Sequence, residues 1–164
     1  MSKENRVVDV LVEIPAGSQN KYEFDKEKGV FKLDRVLFSP MHYPTEYGYI
    51  ENTLALDGDP LDVLVYTTFP TFPGCVIESR VIGMLNMSDE KGQDEKLLAV
   101  PTEDPRFNDV TSLEDMPKHV LDEIAHFFKV YKDLENKKTT IGDWEGSDRA
   151  AQVIDESFKR YEQQ

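Results

Sequence analysis

The hydrophobic period of this chain switches once, near residue 117, from two to about 3.6. Before the switch, β-branched and apolar runs bounded by turn residues predict strands over Val7 to Ile14, Tyr22 to Phe24 and Val30 to Val36, the last two flanking a Lys28-Gly29 turn. Further strands are predicted over Leu61 to Tyr66, Val76 to Leu85 and Lys96 to Val100. After the switch, Val120, Leu121, Ile124, Phe127, Phe128, Tyr131 and Leu134 recur at helical spacing behind Pro117, a residue suited to a first helical turn. A second amphipathic helix is predicted behind a Ser147 cap, with Ala150, Ala151, Ile154, Phe158 and Tyr161 on one face. Strands first and helices last predict an α+β domain, an antiparallel sheet or barrel covered by helices. No repeat, low-complexity tract or linker divides the sequence, so a single domain spanning 1–164 is expected.

Charge narrows the function. With 32 acidic and 19 basic residues, the formal charge of −13 repels nucleic-acid backbones and anionic membrane surfaces. No apolar run approaches the roughly 20 residues of a bilayer span. A polar MSKENR opening without an apolar leader, and a single cysteine, Cys75, point to a reducing cytoplasm. Cys75 reads as a small buried residue. His42, His119 and His126 lack metal-ligand spacing and read as structural or surface residues.

Against this background the run Asp57-Gly58-Asp59-Pro60-Leu61-Asp62 stands out, because it feeds directly into the apolar strand Val63-Leu64-Val65. Asp, Gly and Pro are ordinary turn formers, and a lone DGD would be read that way. Here Asp62 is expected to be held rigidly at a strand start, and carboxylates so close repel one another unless cations separate them. Hard oxygen ligands of this kind suit Mg²⁺. A second acidic group, Asp89 to Lys96, reads alone as a solvated hairpin loop. Its value depends on whether the sheet brings Asp89 and Asp94 opposite Asp57 and Asp62.

DGDPLDVLV closely resembles the signature of the family I soluble inorganic pyrophosphatases. The likeness extends from Val12-Glu13-Ile14-Pro15 through Lys21-Tyr22-Glu23, Arg35, Tyr43-Pro44 and Glu46-Tyr47-Gly48-Tyr49 to Ser88-Asp89, Lys96, His126-Phe127-Phe128 and Tyr131-Lys132-Asp133-Leu134. The short bacterial members are the nearest in pattern. That resemblance implies a five-stranded OB-like β-barrel flanked by two C-terminal helices, a homohexamer, and hydrolysis of pyrophosphate with several Mg²⁺ ions, Mn²⁺ or Zn²⁺ being possible substitutes. It further implies that Asp57, Asp62 and Asp94 hold the metals nearest the attacking water, with Asp62 shared between two of them. Asp89 joins Asp94 around metals arriving with substrate, and Glu23 and Glu13 complete the acidic rim. Asp59 is implied as general base, and Tyr47 as the residue that positions the nucleophile. Lys21, Arg35, Tyr131 and Lys132 are implied to grip phosphate oxygens, with Lys96 nearby and Tyr43 in the same wall.

Two other classes fit parts of the sequence. A metal-dependent phosphohydrolase acting on nucleotides or phosphate esters would share the aspartates, but no Walker-type glycine loop is present. An OB-like nucleic-acid binder would show a positive groove with exposed aromatics, which the net charge opposes. Without their context, Lys21, Lys96 and Lys132 would be surface charges and Tyr131 a packing residue on its helix.

Overall fold

The computed structural model describes residues 6–164; the first five residues, on which the expectation of no apolar leader largely rests, lie outside the described residues. The strands are β1 (Val7–Ile14), β2 (Asn20–Asp25), β3 (Val30–Val36), β4 (Glu46–Tyr49), β5 (Asp62–Val65), β6 (Val76–Asp89), β7 (Gly92–Gln93), β8 (Lys96–Pro101) and β9 (Thr140–Gly146). Helix α1 (Lys118–Val130) precedes β9, and α2 (Ser147–Glu162) follows it.

β1, β4, β5, β8 and β6 pair in that order, and β6 pairs back with β1, so five strands close into a ring. The pairs are antiparallel except β5–β8, which is parallel and corrects the expectation of an antiparallel sheet. β6 is long enough to serve β1 at its start and β7 and β9 toward its end. The β2–β3 hairpin stands apart as its own two-stranded sheet.

Apolar burial on both faces explains why β5 and β8 read as continuous hydrophobic runs rather than alternating ones. Val63, Val65, Leu97 and Ala99 join one core cluster with Ala150, Val153 and Ile154 of α2. Leu64, Leu98 and Val100 join the other with Ile124, Phe127 and Phe128 of α1. Full burial of each such Leu, Ile or Phe stabilises by about 1.5–3 kcal/mol. Cys75 is only partly buried against the first cluster.

The helix boundaries differ from expectation by local causes. α1 stops at Val130 with Tyr131 as its cap, and a 3-10 turn over Asp133–Glu135 ends on Asn136 in the left-handed conformation, φ 59°. Leu134 is therefore 62% exposed rather than part of the apolar face. Gly146, not Ser147, caps α2, and Tyr161 is exposed at its far end.

Two residues in β4 lock the ring. Glu46 is fully buried and accepts hydrogen bonds from the Ala16 N–H and from the N–H and hydroxyl of Thr71, tying β4 to two loops. Gly48 faces Val12 across the β1–β4 pair, and a Cβ there would collide with the Leu11 carbonyl. Backbone has little room to yield, so Gly48→Ala is expected to destabilise by about 3 kcal/mol; the urea midpoint of unfolding measures it, and an unshifted midpoint contradicts the packing described.

Candidate active site

The DGDPLD run begins as a turn. Gly58 takes φ 89°, a left-handed conformation, and Asp57 Oδ1 accepts the Asp59 N–H at 3.0 Å. This Asx turn leaves the Asp59 side chain 58% exposed. Three residues on, Asp62 opens β5, and parallel pairing sets it opposite Lys96 at the start of β8. Tyr47 on β4 lies diagonally across from Asp62 on the same face, since its direct partner is Leu64.

These registers create a buried knot. Lys96 Nζ lies 2.7 Å from Asp62 Oδ2, 3.0 Å from Asp94 Oδ2 and 2.6 Å from the Tyr47 hydroxyl. The Tyr47 hydroxyl in turn donates to Asp62 Oδ2 at 2.9 Å. Asp94 is placed by its own N–H, which donates to the Met87 carbonyl at the β6–β7 hairpin. Burial alone would push the Lys96 ammonium down, but Asp62, Tyr47 and Asp94 outweigh it and hold the group charged. The Asp94 carboxyl is pushed up by burial and by Asp62 and Asp89, with Lys96 opposing. Burial, and the nearby Asp94 and Asp59, raise Asp57 as well. Burial likewise raises the Tyr47 and Tyr131 hydroxyls.

Glu13 sits at an irregularity in the β1–β4 register, between Val12 and Ile14, where a bulge re-aims a side chain. It accepts the Phe24 N–H at 2.9 Å, and burial pushes its carboxyl up to about 7.

Facing the carboxylates is a basic group. Lys21 on β2 pairs in register with Arg35 on β3, and both reach Asp34 Oδ2, at 3.0 Å and 2.6 Å. Lys132, just beyond α1, points its Nζ toward Asp89 Oδ2 at 3.8 Å and lies over the Tyr131 ring.

One cleft of about 460 Å³ is lined by Glu13, Lys21, Glu23, Tyr47, Asp57, Asp59, Asp62, Asp89, Asp94, Lys96, Tyr131 and Lys132. The sheet thus does bring Asp89 and Asp94 into the space of Asp57 and Asp62. Of the site residues inferred from sequence, Arg35 and Tyr43 are absent from the lining; the Arg35 guanidinium stands between Asp34 and Glu135. Tyr43 is buried behind Tyr47 and against Phe127 instead of lining the wall. His42, His119 and His126 are exposed and away from the cleft. A larger cavity, about 800 Å³, is bounded by Arg6, Leu11, Ile50, Glu51 and Phe158 and contains none of these groups. Convergent charge, not size, marks the site.

Sequence reasoning missed Lys26 and Lys91, which also line the cleft. Lys91 lies 3.6 Å from Asp59, and Lys26 sits over the Tyr49 ring. Both occupy turns rich in charge, where a functional lysine and a solvating one look alike.

A family model described as inorganic pyrophosphatase matches residues 10–162. The chain is 70% identical over 161 residues to an inorganic pyrophosphatase of Halalkalibacterium halodurans, covering 98% of this chain and 99% of the relative. It is 66% identical over 164 residues to one from Geobacillus stearothermophilus, covering 100% and 99%. The crystal structure of inorganic pyrophosphatase from Thermus thermophilus superposes with a TM-score of 0.94 at 44% identity, covering 99% of this chain and 95% of that one. Sequence, fold and cleft agree: the chain belongs to the family I soluble inorganic pyrophosphatases.

Proposed function

We propose that this chain hydrolyses inorganic pyrophosphate to two orthophosphates with a water activated by divalent metal ions, Asp59 taking the water's proton. The observation that carries this reading is the opposition, inside one cleft, of a carboxylate floor and a wall of lysines and tyrosine. A compact polyanion needs such a wall for its oxygens. The floor would repel it unless cations intervene.

The floor offers oxygen donors only, which fits Mg²⁺, with Mn²⁺ or Zn²⁺ as substitutes. Among the described residues, no group of three or more Asp, Glu, His or Cys side chains is gathered tightly enough to hold an ion unaided. Mg²⁺ commonly takes one or two carboxylates and fills its shell with water and substrate oxygens, which suits this spacing. When bound, the ions would lower the pKa of water and offset charge on the phosphates.

The chain's own groups do the rest. Asp57, Asp62 and Asp94 would hold the ions nearest the water, Asp89 would join Asp94 around ions arriving with the substrate, and Glu23 and Glu13 would complete the acidic rim. Asp59, exposed and held by a backbone turn, accepts the proton. The Tyr47 hydroxyl, fixed between Asp62 and Lys96, orients the water. Lys21, Arg35, Tyr131 and Lys132 donate to phosphoryl oxygens, with Arg35 able to use a two-pronged fork and the lysines acting as point charges.

We further read the chain as one domain over 1–164, its strand ring as an OB-like barrel, its assembly as a homohexamer and its place of action as the cytoplasm. Ring closure supports the second, exposed Val36 and Phe38 leave apolar surface for the third, and the unpaired Cys75 suits the fourth.

Phosphate release from pyrophosphate, with Mg²⁺ and with chelator, tests the activity. Rapid release that chelation abolishes is expected. Faster hydrolysis of nucleotides or phosphate monoesters than of pyrophosphate under Mg²⁺ would overturn the substrate assignment.

A further inference from the structure

The basic wall is carried by two separate elements. Lys21 and Arg35 stand on the β2–β3 hairpin; Tyr131 and Lys132 leave the end of α1. One side chain joins them. Glu135 belongs to the 3-10 turn just after Lys132, and its N–H donates to the Lys132 carbonyl at 3.0 Å. Its side chain is 5% exposed, and Oε1 lies 3.0 Å from Arg35 Nε. The other oxygen, Oε2, is buried and among the described residues meets no hydrogen-bond donor.

A carboxylate kept from water with one oxygen unmet is an unfavourable arrangement unless its remaining contact compensates. Among the described residues, the only compensation is the Arg35 guanidinium. On its far side, Arg35 Nη1 lies 2.6 Å from Asp34 Oδ2, the same oxygen that holds Lys21. The guanidinium therefore stands between two carboxylates: Nη1 donates to Asp34, while the buried Nε makes no hydrogen bond and is held by Glu135 as a close ion pair. A planar fork fixed in this way presents its remaining N–H groups in one direction.

We propose that Glu135 is a positioning residue for pyrophosphate: it fixes the Arg35 guanidinium and staples the hairpin to the exit of α1, so that both halves of the basic wall meet the substrate in one geometry. The inference rests on the reading of the cleft as a pyrophosphate site. Glu135 itself touches no substrate. Its effect passes through Arg35, which separates it from a residue that merely supports the fold.

The test is a double-mutant cycle on pyrophosphate hydrolysis at saturating Mg²⁺, using Glu135→Gln, Arg35→Ala and both together. E135Q is expected to raise KM about tenfold with kcat within about threefold of wild type, and to add less than about twofold once Arg35 is gone. An unchanged KM in E135Q, or an effect that persists in full without Arg35, overturns the proposal. Should E135Q fail to fold, Glu135→Asp, which withdraws the carboxylate by one methylene but keeps its charge, takes its place with the same two outcomes. If the wild-type protein does not hydrolyse pyrophosphate, the functional reading fails instead. Calorimetric binding of inorganic phosphate to wild type and E135Q then decides the positioning role: weaker binding in the variant supports it, and equal binding overturns it.

Discussion

Asp59→Asn is expected to slow pyrophosphate turnover by about 10²–10⁴, the usual worth of a positioned general base. The substitution is nearly isosteric. Stability should barely move, within about 0.5 kcal/mol, because the turn is held by backbone contacts: the Asp59 N–H to Asp57 Oδ1 and the Ala55 N–H to the Asp59 carbonyl at 2.7 Å. Among the described residues the Asp59 carboxylate has one ion-pair contact, an exposed one with Lys91 at 3.6 Å, and such pairs contribute little. Steady-state kinetics beside a urea melt separate the two effects. Turnover within threefold of wild type would remove Asp59 from the proton-transfer step.

Asp62→Ala should cost more and in two currencies. Turnover is expected to fall by roughly 10³ or more, since several charge-stabilising contacts of the site are lost together. Folding stability should also drop, by about 3–5 kcal/mol, the usual consequence of breaking a buried ion pair from one side. The second effect follows from Lys96, whose side chain is 3% exposed and would be left, among the described residues, with Asp94 as its one carboxylate partner. Changing Lys96 to Met in the same background should restore part of the stability and none of the activity. A D62A protein as stable as wild type would mean that the ammonium finds other partners, and the account of the knot would need revision.

Much of the framework was legible because its causes are local. The alternation of Val8, Val10 and Val12 and the uninterrupted Val63-Leu64-Val65 carry their burial in their spacing. β1 and β3 accordingly begin and end where the hydrophobic pattern places them. β4 was not legible, since a four-residue strand containing Tyr47, Gly48 and Tyr49 resembles a turn until Leu11 and Val63 flank it. β9, with two internal or terminal glycines and two acids, is a strand only because the far half of β6 offers it a partner. At the site the same division holds. The aspartates of the DGDPLD run announce themselves within six residues. Arg35 is legible only through the family resemblance, because the carboxylate against its Nε, Glu135, lies a hundred positions away, in a turn just past the last residue of the helical pattern.

The parallel pairing of β5 with β8 has a consequence for how the protein is made. The partners Asp62 and Lys96 are 34 residues apart, and β6 must be laid between them in sequence before they can meet. A chain emerging from the ribosome therefore exposes its three clustered aspartates well before the lysine that neutralises Asp62 is synthesised. Nor can the ring close until β8 arrives. The cleft also needs Tyr131 and Lys132, which follow α1, so no N-terminal fragment ending short of Lys132 can carry the full arrangement and such truncated products should be inert.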